Sequence, residues 1–134
     1  MSLKSALSEA VSEIPECLAA GYVDMQSGML LGVQTVDSHP QEVLDTVAAA
    51  TADLFQGKNV VMIENMFKKA RGQEKDNRHY FQEIIVFSEH LLHVFLRSKK
   101  YEDQVFTVVC RKSANIGMVL TKSRMALQGV SDSV

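Results

Sequence analysis

The stretch that decides the fold is YFQEIIVFSEHLLHVFLRSKKYEDQVFTVVCRKSANIGMVLTKSRMAL, residues 80–127. Segments 80–88, 91–97 and 104–111 are rich in Ile, Val, Phe and Leu and are joined by short connections. This pattern predicts three successive antiparallel β-strands. After Ser113 the apolar residues recur about every 3.6 positions instead of every two, which indicates a helix. The second half of the chain is therefore predicted to be a β-meander followed by a helix.

The residues before this stretch are expected to complete the sheet and to cover it. Apolar residues at helical spacing predict a first helix over 3–14. Two strand-like runs around a Gln-Ser-Gly turn predict a hairpin over 16–35. A second helix is predicted over 41–55, and helical periodicity resumes over 60–72 beyond Gly57. The sequence leaves one bent helix and two separate helices both open.

Small residues are frequent in the predicted hairpin, where Ala19, Ala20, Gly21 and Gly32 occur. They fit the close approach of a helix or a neighbouring chain, and they fit equally a weak strand with a bulge. Gly28 lies in the turn, where a positive φ is available to glycine.

Composition and charge exclude several classes of partner. The formal net charge of −2 over 134 residues argues against nucleic acid or an anionic membrane surface as the main partner, since phosphate binding needs a basic excess. No run approaches the roughly 20 apolar residues of a membrane span. Cys17 and Cys110 both lie in apolar runs, so we expect reduced, buried thiols and a reducing compartment, the cytoplasm.

The sequence contains no recognisable catalytic, metal or nucleotide motif. His90 and His93 are three apart at the start of a strand, which places them on opposite faces. The glycine spacing matches neither of the phosphate-binding motifs GxxxxGK(S/T) and GxGxxG, since the glycines lie at positions 21, 28 and 32. We therefore expect a protein that is not an enzyme and that has no metal and no cofactor.

The order of the predicted elements resembles that of the roadblock-type dynein light chain family, including its bacterial members. Two local patterns carry the resemblance: GYVD at 21–24 with Gly28 and LL at 30–31, and SANIGMV at 113–119. The chain departs from the family in its turn, which lacks the more usual acidic residue before Gly28. It also departs in the segment 58–78, which is longer than usual.

The resemblance implies an α+β fold, a profilin/roadblock-like sandwich with a five-stranded antiparallel sheet in the order 2-1-5-4-3 and flanking helices. It implies one roadblock-like domain over 1–134, with its core at about 16–128. It further implies dimerisation through the third strand and the second helix. Members of the family are mostly non-enzymatic and adapt motor complexes or bind and regulate Ras-like GTPases.

The residues favour a dimer independently. If segment 80–88 is an edge strand, it has neither Pro nor Lys to protect it from pairing with another chain. The alternative is a central strand that is already paired on both sides. We expect the dimer or partner interface at Val47, Thr51, Leu54, Tyr80, Gln82, Ile84 and Val86. We expect structural roles for Gly28 in the turn, for Asn115 at the start of the last helix, and for Gly117 where that helix meets the sheet.

The favoured function is a non-enzymatic homodimeric module that binds and scaffolds or regulates a Ras-like small GTPase, or a motor or polarity complex. The alternative is a sensor of related architecture that binds a small molecule between sheet and helix. That alternative would use Met25, Met29, Met62 and Met66 as pocket lining.

Overall fold

The computed structural model describes residues 2–37, 41–72 and 81–134, with the backbone alone over 41–46. The elements in chain order are α1 (Leu3–Glu13), β1 (Cys17–Asp24), β2 (Met29–Thr35), α2 (Gln41–Gln56), α3 (Lys58–Ala70), β3 (Glu83–Phe87), β4 (Leu91–Arg97), β5 (Gln104–Arg111) and α4 (Ile116–Asp132). Among these residues, no helix has the length and apolar character needed to cross a bilayer.

The five strands form one antiparallel sheet in the order β2-β1-β5-β4-β3. This confirms the predicted fold class and strand order. β3 is an edge strand, so the alternative of a central strand over 80–88 is wrong. β3 is also shorter than predicted, because it begins at Glu83 and ends at Phe87.

One face of the sheet is covered by α1 and α4. The apolar residues of one parity on β4 and β5 point into this face, as a side-chain period of two requires. The first core contains Leu7, Tyr22, Leu92, Val94, Leu96, Phe106, Val108, Val119 and Val130, among others.

The hairpin with its small residues shows both features that the sequence left open, the close approach of a helix and a bulge in the strand. A Cβ added to Gly32 would lie 2.9 Å from Leu3 Cδ2 and 3.1 Å from Leu7 Cδ1, so α1 packs directly on β2 at this glycine. The β1–β2 register also shifts between Tyr22 and Val23, which is a bulge.

The opposite face carries a smaller core under the C-terminal part of α2. Met25, Phe55, Phe95 and Val105 are buried there, with Ile84 packed against them. The rings of Phe55 and Phe95 meet edge to face, with their centroids 6.4 Å apart. This cluster connects the second helix to the edge strand.

The segment after α2 is a separate helix, which decides between the two alternatives that the sequence left open. α2 ends at Gln56 and α3 begins at Lys58. A Cβ on Gly57 would lie 2.7 Å from the carbonyl oxygen of Asp53. Glycine is therefore the residue that lets the chain turn this closely against the preceding helix.

Candidate interaction interface

The free side of β3 can be identified from its ladder with β4. The amide of Arg97 donates to Gln82 O at 2.8 Å, and the amide of Ser88 donates to Leu91 O at 2.9 Å. With Ile84 opposite Phe95, the alternation of an antiparallel ladder directs the N–H groups of Ile84 and Val86 towards β4. The N–H groups of the residues between them, such as Ile85, therefore point outwards from the sheet.

This edge strand is apolar and accessible. Ile85 is 39% exposed, Val86 37% and Phe87 54%. Among the described residues, no strand pairs with this side of β3. An accessible apolar edge of this kind is a template for pairing with another strand. This edge is therefore the principal candidate site on the molecule.

The second helix contributes an outward-facing pair to the same candidate interface. Val47 is 44% exposed and Leu54 is 38% exposed, and they lie two helical turns apart on one face. Thr51 lies on the inner side, where it is 1% exposed and donates its hydroxyl to Val47 O at 2.8 Å. Thr51 has no exposed surface to offer a partner, so it is not part of the proposed interface.

The remaining predicted interface residues belong to the edge segment. Ile84 is half-buried in the smaller core, whereas Gln82 is exposed and its carbonyl accepts the Arg97 amide. Val86 is exposed and lies opposite His93. Tyr80 lies outside the described residues.

Arg97 fastens the edge segment to the rest of the fold. It is 2% exposed, and its Nε donates to Phe81 O at 2.9 Å while its Nη1 donates to Glu102 O at 2.6 Å. Burial lowers the pKa of Arg97, and the nearby carboxylate of Glu64 opposes that shift. The guanidinium thus joins the chain leading into β3 to the β4–β5 connection.

A second arginine holds β3 from the other face. Arg124 on α4 makes a bidentate contact with Glu83, with Nε to Oε2 at 2.8 Å and Nη2 to Oε1 at 2.6 Å. This contact lowers the pKa of the Glu83 carboxyl. The start of β3 is therefore positioned from both sides of the sheet.

α3 carries an apolar surface that sequence reasoning missed. Its buried residues are Glu64, 2% exposed, and Lys68, 4% exposed. Its exposed residues include Met62, Met66 and Phe67, each more than half exposed. The helical spacing of Ile63 and its neighbours predicts this helix, but its apolar residues occur on more than one face. Apolar residues beyond those that one buried face requires are the sequence signal for an exposed apolar surface.

The three predicted structural residues have different outcomes. Gly28 takes φ +73° in the turn, and its amide donates to Asp24 O at 2.9 Å. Asn115 caps α4, because its Oδ1 accepts the Met118 amide at 3.0 Å. The expectation that Gly117 meets the sheet is wrong. Gly117 is exposed, and an added Cβ would meet only Asn115 Oδ1, at 3.3 Å.

The methionines proposed to line a ligand pocket do not share one site. Met25 is buried in the smaller core, whereas Met29, Met62 and Met66 are 62%, 51% and 64% exposed. Within the parts of the chain that the structure describes, no group of three or more His, Cys, Asp and Glu residues is arranged to hold a metal ion.

Comparisons with known proteins give structural matches without sequence matches. No protein-family model and no curated protein matches the chain by sequence. The roadblock/LC7 domain from Streptomyces avermitilis matches with TM-score 0.70 at 14% identity, over 98% of this chain and 97% of that one. The gliding protein MglB from Thermus thermophilus matches with TM-score 0.69 at 20% identity, over 96% and 85%. Profilin II of Acanthamoeba castellanii matches with TM-score 0.60 at 8% identity, over 99% and 100%.

These likenesses define the fold. The chain has the roadblock fold, and its architecture is also similar to that of profilin. Within that fold, the dimer interface is expected at the edge strand β3 and at the outward face of α2.

Proposed function

We propose that this chain is a roadblock-like, non-enzymatic interaction module that forms a homodimer and, as a dimer, binds and scaffolds or regulates a Ras-like small GTPase or a motor or polarity complex. The observation that supports it is the apolar, accessible edge at β3 in a roadblock fold. In the dimer, β3 pairs with β3 of a second copy, and the sheet continues across both protomers.

The proposed interface consists of the edge segment and the outward face of the second helix. Its residues are Val47, Leu54, Tyr80, Gln82, Ile84 and Val86. Residues 1–134 act as one roadblock-like domain in this proposal. The free thiols of Cys17 and Cys110 support placing it in the cytoplasm, where thiols are kept reduced.

The association with a GTPase rests on the resemblance to the roadblock family. The likeness of the fold to MglB and to a bacterial roadblock/LC7 domain supports the same class of role. The exposed apolar residues of α3, including Met62 and Met66, add surface for a partner on a helix that packs against α2.

A proline in the free edge tests the dimer. In Ile85→Pro the lost N–H is one that points away from β4, so the intrachain ladder keeps its hydrogen bonds. The matched control is Val33→Pro on the opposite edge. Val36 N donates to Leu18 O at 2.9 Å and Val33 lies opposite Gly21, so by the same alternation the Val33 N–H also points outwards.

The readout is the molar mass in solution over a range of concentrations. We expect the wild type and Val33→Pro to have the mass of a dimer, and Ile85→Pro to have that of a monomer with an unchanged circular dichroism spectrum. A wild-type mass equal to one chain at every concentration contradicts the dimer. An Ile85→Pro variant that stays dimeric contradicts the assignment of the interface to β3.

The partner is tested separately by affinity recovery from extracts of the native organism. The wild type, Ile85→Pro and Val33→Pro serve as baits. We expect the wild type and Val33→Pro to enrich a Ras-like GTPase and Ile85→Pro to lose it. Recovery of no GTPase by a dimeric wild type contradicts the GTPase role while leaving the dimer intact.

A further inference from the structure

β1 begins with a cysteine and β5 has one near its end, and the two face each other. Cys17 lies opposite Cys110 in the β1–β5 ladder. The amide of Arg111 donates to Glu16 O at 3.1 Å, and the amide of Cys17 donates to Ile14 O rather than to Cys110. This arrangement makes Cys17 and Cys110 a non-hydrogen-bonded pair of the antiparallel ladder, the type with the closer side chains.

The geometry of this pair suits a disulfide. Facing Cα atoms at non-hydrogen-bonded positions are about 4.5 Å apart, and disulfides join Cα atoms about 4.4–6.8 Å apart. Both side chains belong to the core between the sheet and α1/α4, so they point to the same face. Both are free thiols in the structure.

The two thiols differ in accessibility and in acidity. Cys17 is 8% exposed, whereas Cys110 is fully buried. The adjacent Cys110 side chain lowers the pKa of Cys17, whereas the Cys17 side chain together with burial raises the pKa of Cys110. Cys17 is therefore the more acidic of the two thiols and the less deeply buried one.

The backbone around Cys17 is irregular. Glu16 has φ +52°, an uncommon conformation for a residue other than glycine. A register shift follows between Cys17 and Ala19. These features interrupt the start of β1, so we expect this end of the ladder to open more readily than its centre and to admit a small reagent.

We propose that Cys17 and Cys110 form a reversible intramolecular disulfide when the protein meets a small peroxide. The Cys17 thiolate attacks one oxygen of hydrogen peroxide and the O–O bond breaks, which leaves a sulfenic acid on Cys17 and a hydroxide that takes up the proton lost by the thiol. The Cys110 sulfur then attacks the Cys17 sulfur and the S–O bond breaks, and the departing hydroxide takes up the proton of the Cys110 thiol and leaves as water. In total, two thiols are oxidised by two electrons and one peroxide is reduced to two waters.

This disulfide would join the central strand β5 to its neighbour β1 near one end of the ladder. The cross-link would close a long loop of the chain. Such a cross-link stabilises the folded protein mainly by restricting the unfolded chain. We therefore expect oxidation to raise the thermal midpoint by roughly 5 °C or more, and dithiothreitol to restore the reduced value.

The test begins with the wild-type protein and hydrogen peroxide under native conditions. After denaturation, remaining thiols are alkylated, and the protein is digested without reduction and analysed by mass spectrometry. We expect loss of both free thiols within one chain and a peptide pair linked through Cys17 and Cys110. Two free thiols after treatment, or links only between chains, overturn the proposal.

Two single variants test the order of the steps. In Cys110→Ala, Cys17 has no resolving thiol, so we expect its sulfenic acid to persist and to be labelled by dimedone. In Cys17→Ala, the buried Cys110 is expected to stay unlabelled over the same period. Equal labelling of the two variants overturns the assignment of Cys17 as the attacking thiol.

Discussion

The guanidinium of Arg97 lies 5.1 Å from the ring centroid of Phe55, so β4 is held against the C-terminal turn of α2. Its Nη2 also lies 3.5 Å from Phe55 O. The same side chain holds Phe81 O and Glu102 O, so one buried cation connects α2, the start of the edge segment and the β4–β5 connection.

Replacing this arginine is expected to destabilise the fold strongly. Arg97→Met removes the donors to these carbonyls and the cation above the ring, and it leaves Glu64 without that neighbouring charge. We expect the free energy of unfolding to fall by about 3 kcal/mol in chemical denaturation. Lys100→Met is the control, because Lys100 pairs with Asp132 on the exposed surface. Its midpoint should stay close to that of the wild type, and an equal loss in both variants would contradict the role of Arg97.

Replacement by alanine is expected to destabilise the fold at Gly32 but not at Gly117. Gly32→Ala places a Cβ 2.9 Å from Leu3 Cδ2, so α1 has to shift, and we expect a loss of about 1–2 kcal/mol. Gly117→Ala is exposed in the first turn of α4, and helix propensity favours alanine there by up to about 1 kcal/mol. We expect no loss of stability at Gly117, as measured by urea denaturation. A Gly32→Ala variant as stable as the wild type would argue against the direct packing of α1 on β2.

A chain of buried hydroxyls joins β1 to the last helix. Tyr22 Oη and Ser131 Oγ are 3.0 Å apart, and Ser131 Oγ is 2.9 Å from Ser98 Oγ. Tyr22→Phe removes one hydrogen bond, and we expect a loss of about 1 kcal/mol. Ser131→Ala leaves two buried hydroxyls without this partner, so its loss should be larger, at about 2 kcal/mol. Denaturant midpoints of the two variants measure this order, and the reverse order would show that Ser131 is not the centre of the network.

His93 should make stability depend on pH. Burial lowers the pKa of His93 in the folded state, where its ring lies parallel to that of Phe95 with centroids 6.4 Å apart. Between the folded pKa and the unfolded value of about 6.5, the unfolded chain binds more protons. The stabilisation that neutral His93 contributes is therefore present above about pH 6.5 and is lost as the pH falls below that value.

The measurement compares urea midpoints of the wild type and His93→Gln at about pH 7.5 and about pH 5.5. The decrease in the midpoint towards low pH should be smaller in the variant. His90→Gln is a suitable control because His90 is exposed in the turn before β4. Identical decreases in the wild type and His93→Gln would exclude His93 as the source.

The elements with strong periodicity could be predicted closely. The strand patterns around β4 and β5 and the helical pattern after Ser113 depend on local spacing, and the structure has these elements with nearly the same bounds. The strand order came from the family resemblance, since spacing does not determine which strands are neighbours. The sequence shows an interruption of the helical pattern at Gly57. Whether it bends one helix or separates two depends on the tertiary structure, in which Asp53 O closely approaches Gly57.

The candidate interface was predicted less well than the fold. Thr51 and Leu54 are close on one predicted helix, yet one is buried and the other exposed. Periodicity shows which residues share a face, but not which face meets the sheet. Which face of α3 is buried depends on a residue of another element. Arg97 on β4 lies close enough to Glu64 to interact with its charge. The apolar residues Met62 and Met66 are exposed instead.

The sequence by itself determined the order of helices and strands and the apolar character of the edge segment, because both follow from local spacing and residue type. Only the tertiary structure decided that β3 is at the edge, that α3 buries Glu64 and Lys68, and that Cys17 faces Cys110. The physical reason is that each of these facts depends on a neighbour distant in the sequence. Register, burial and charge pairing arise only when those neighbours are brought together.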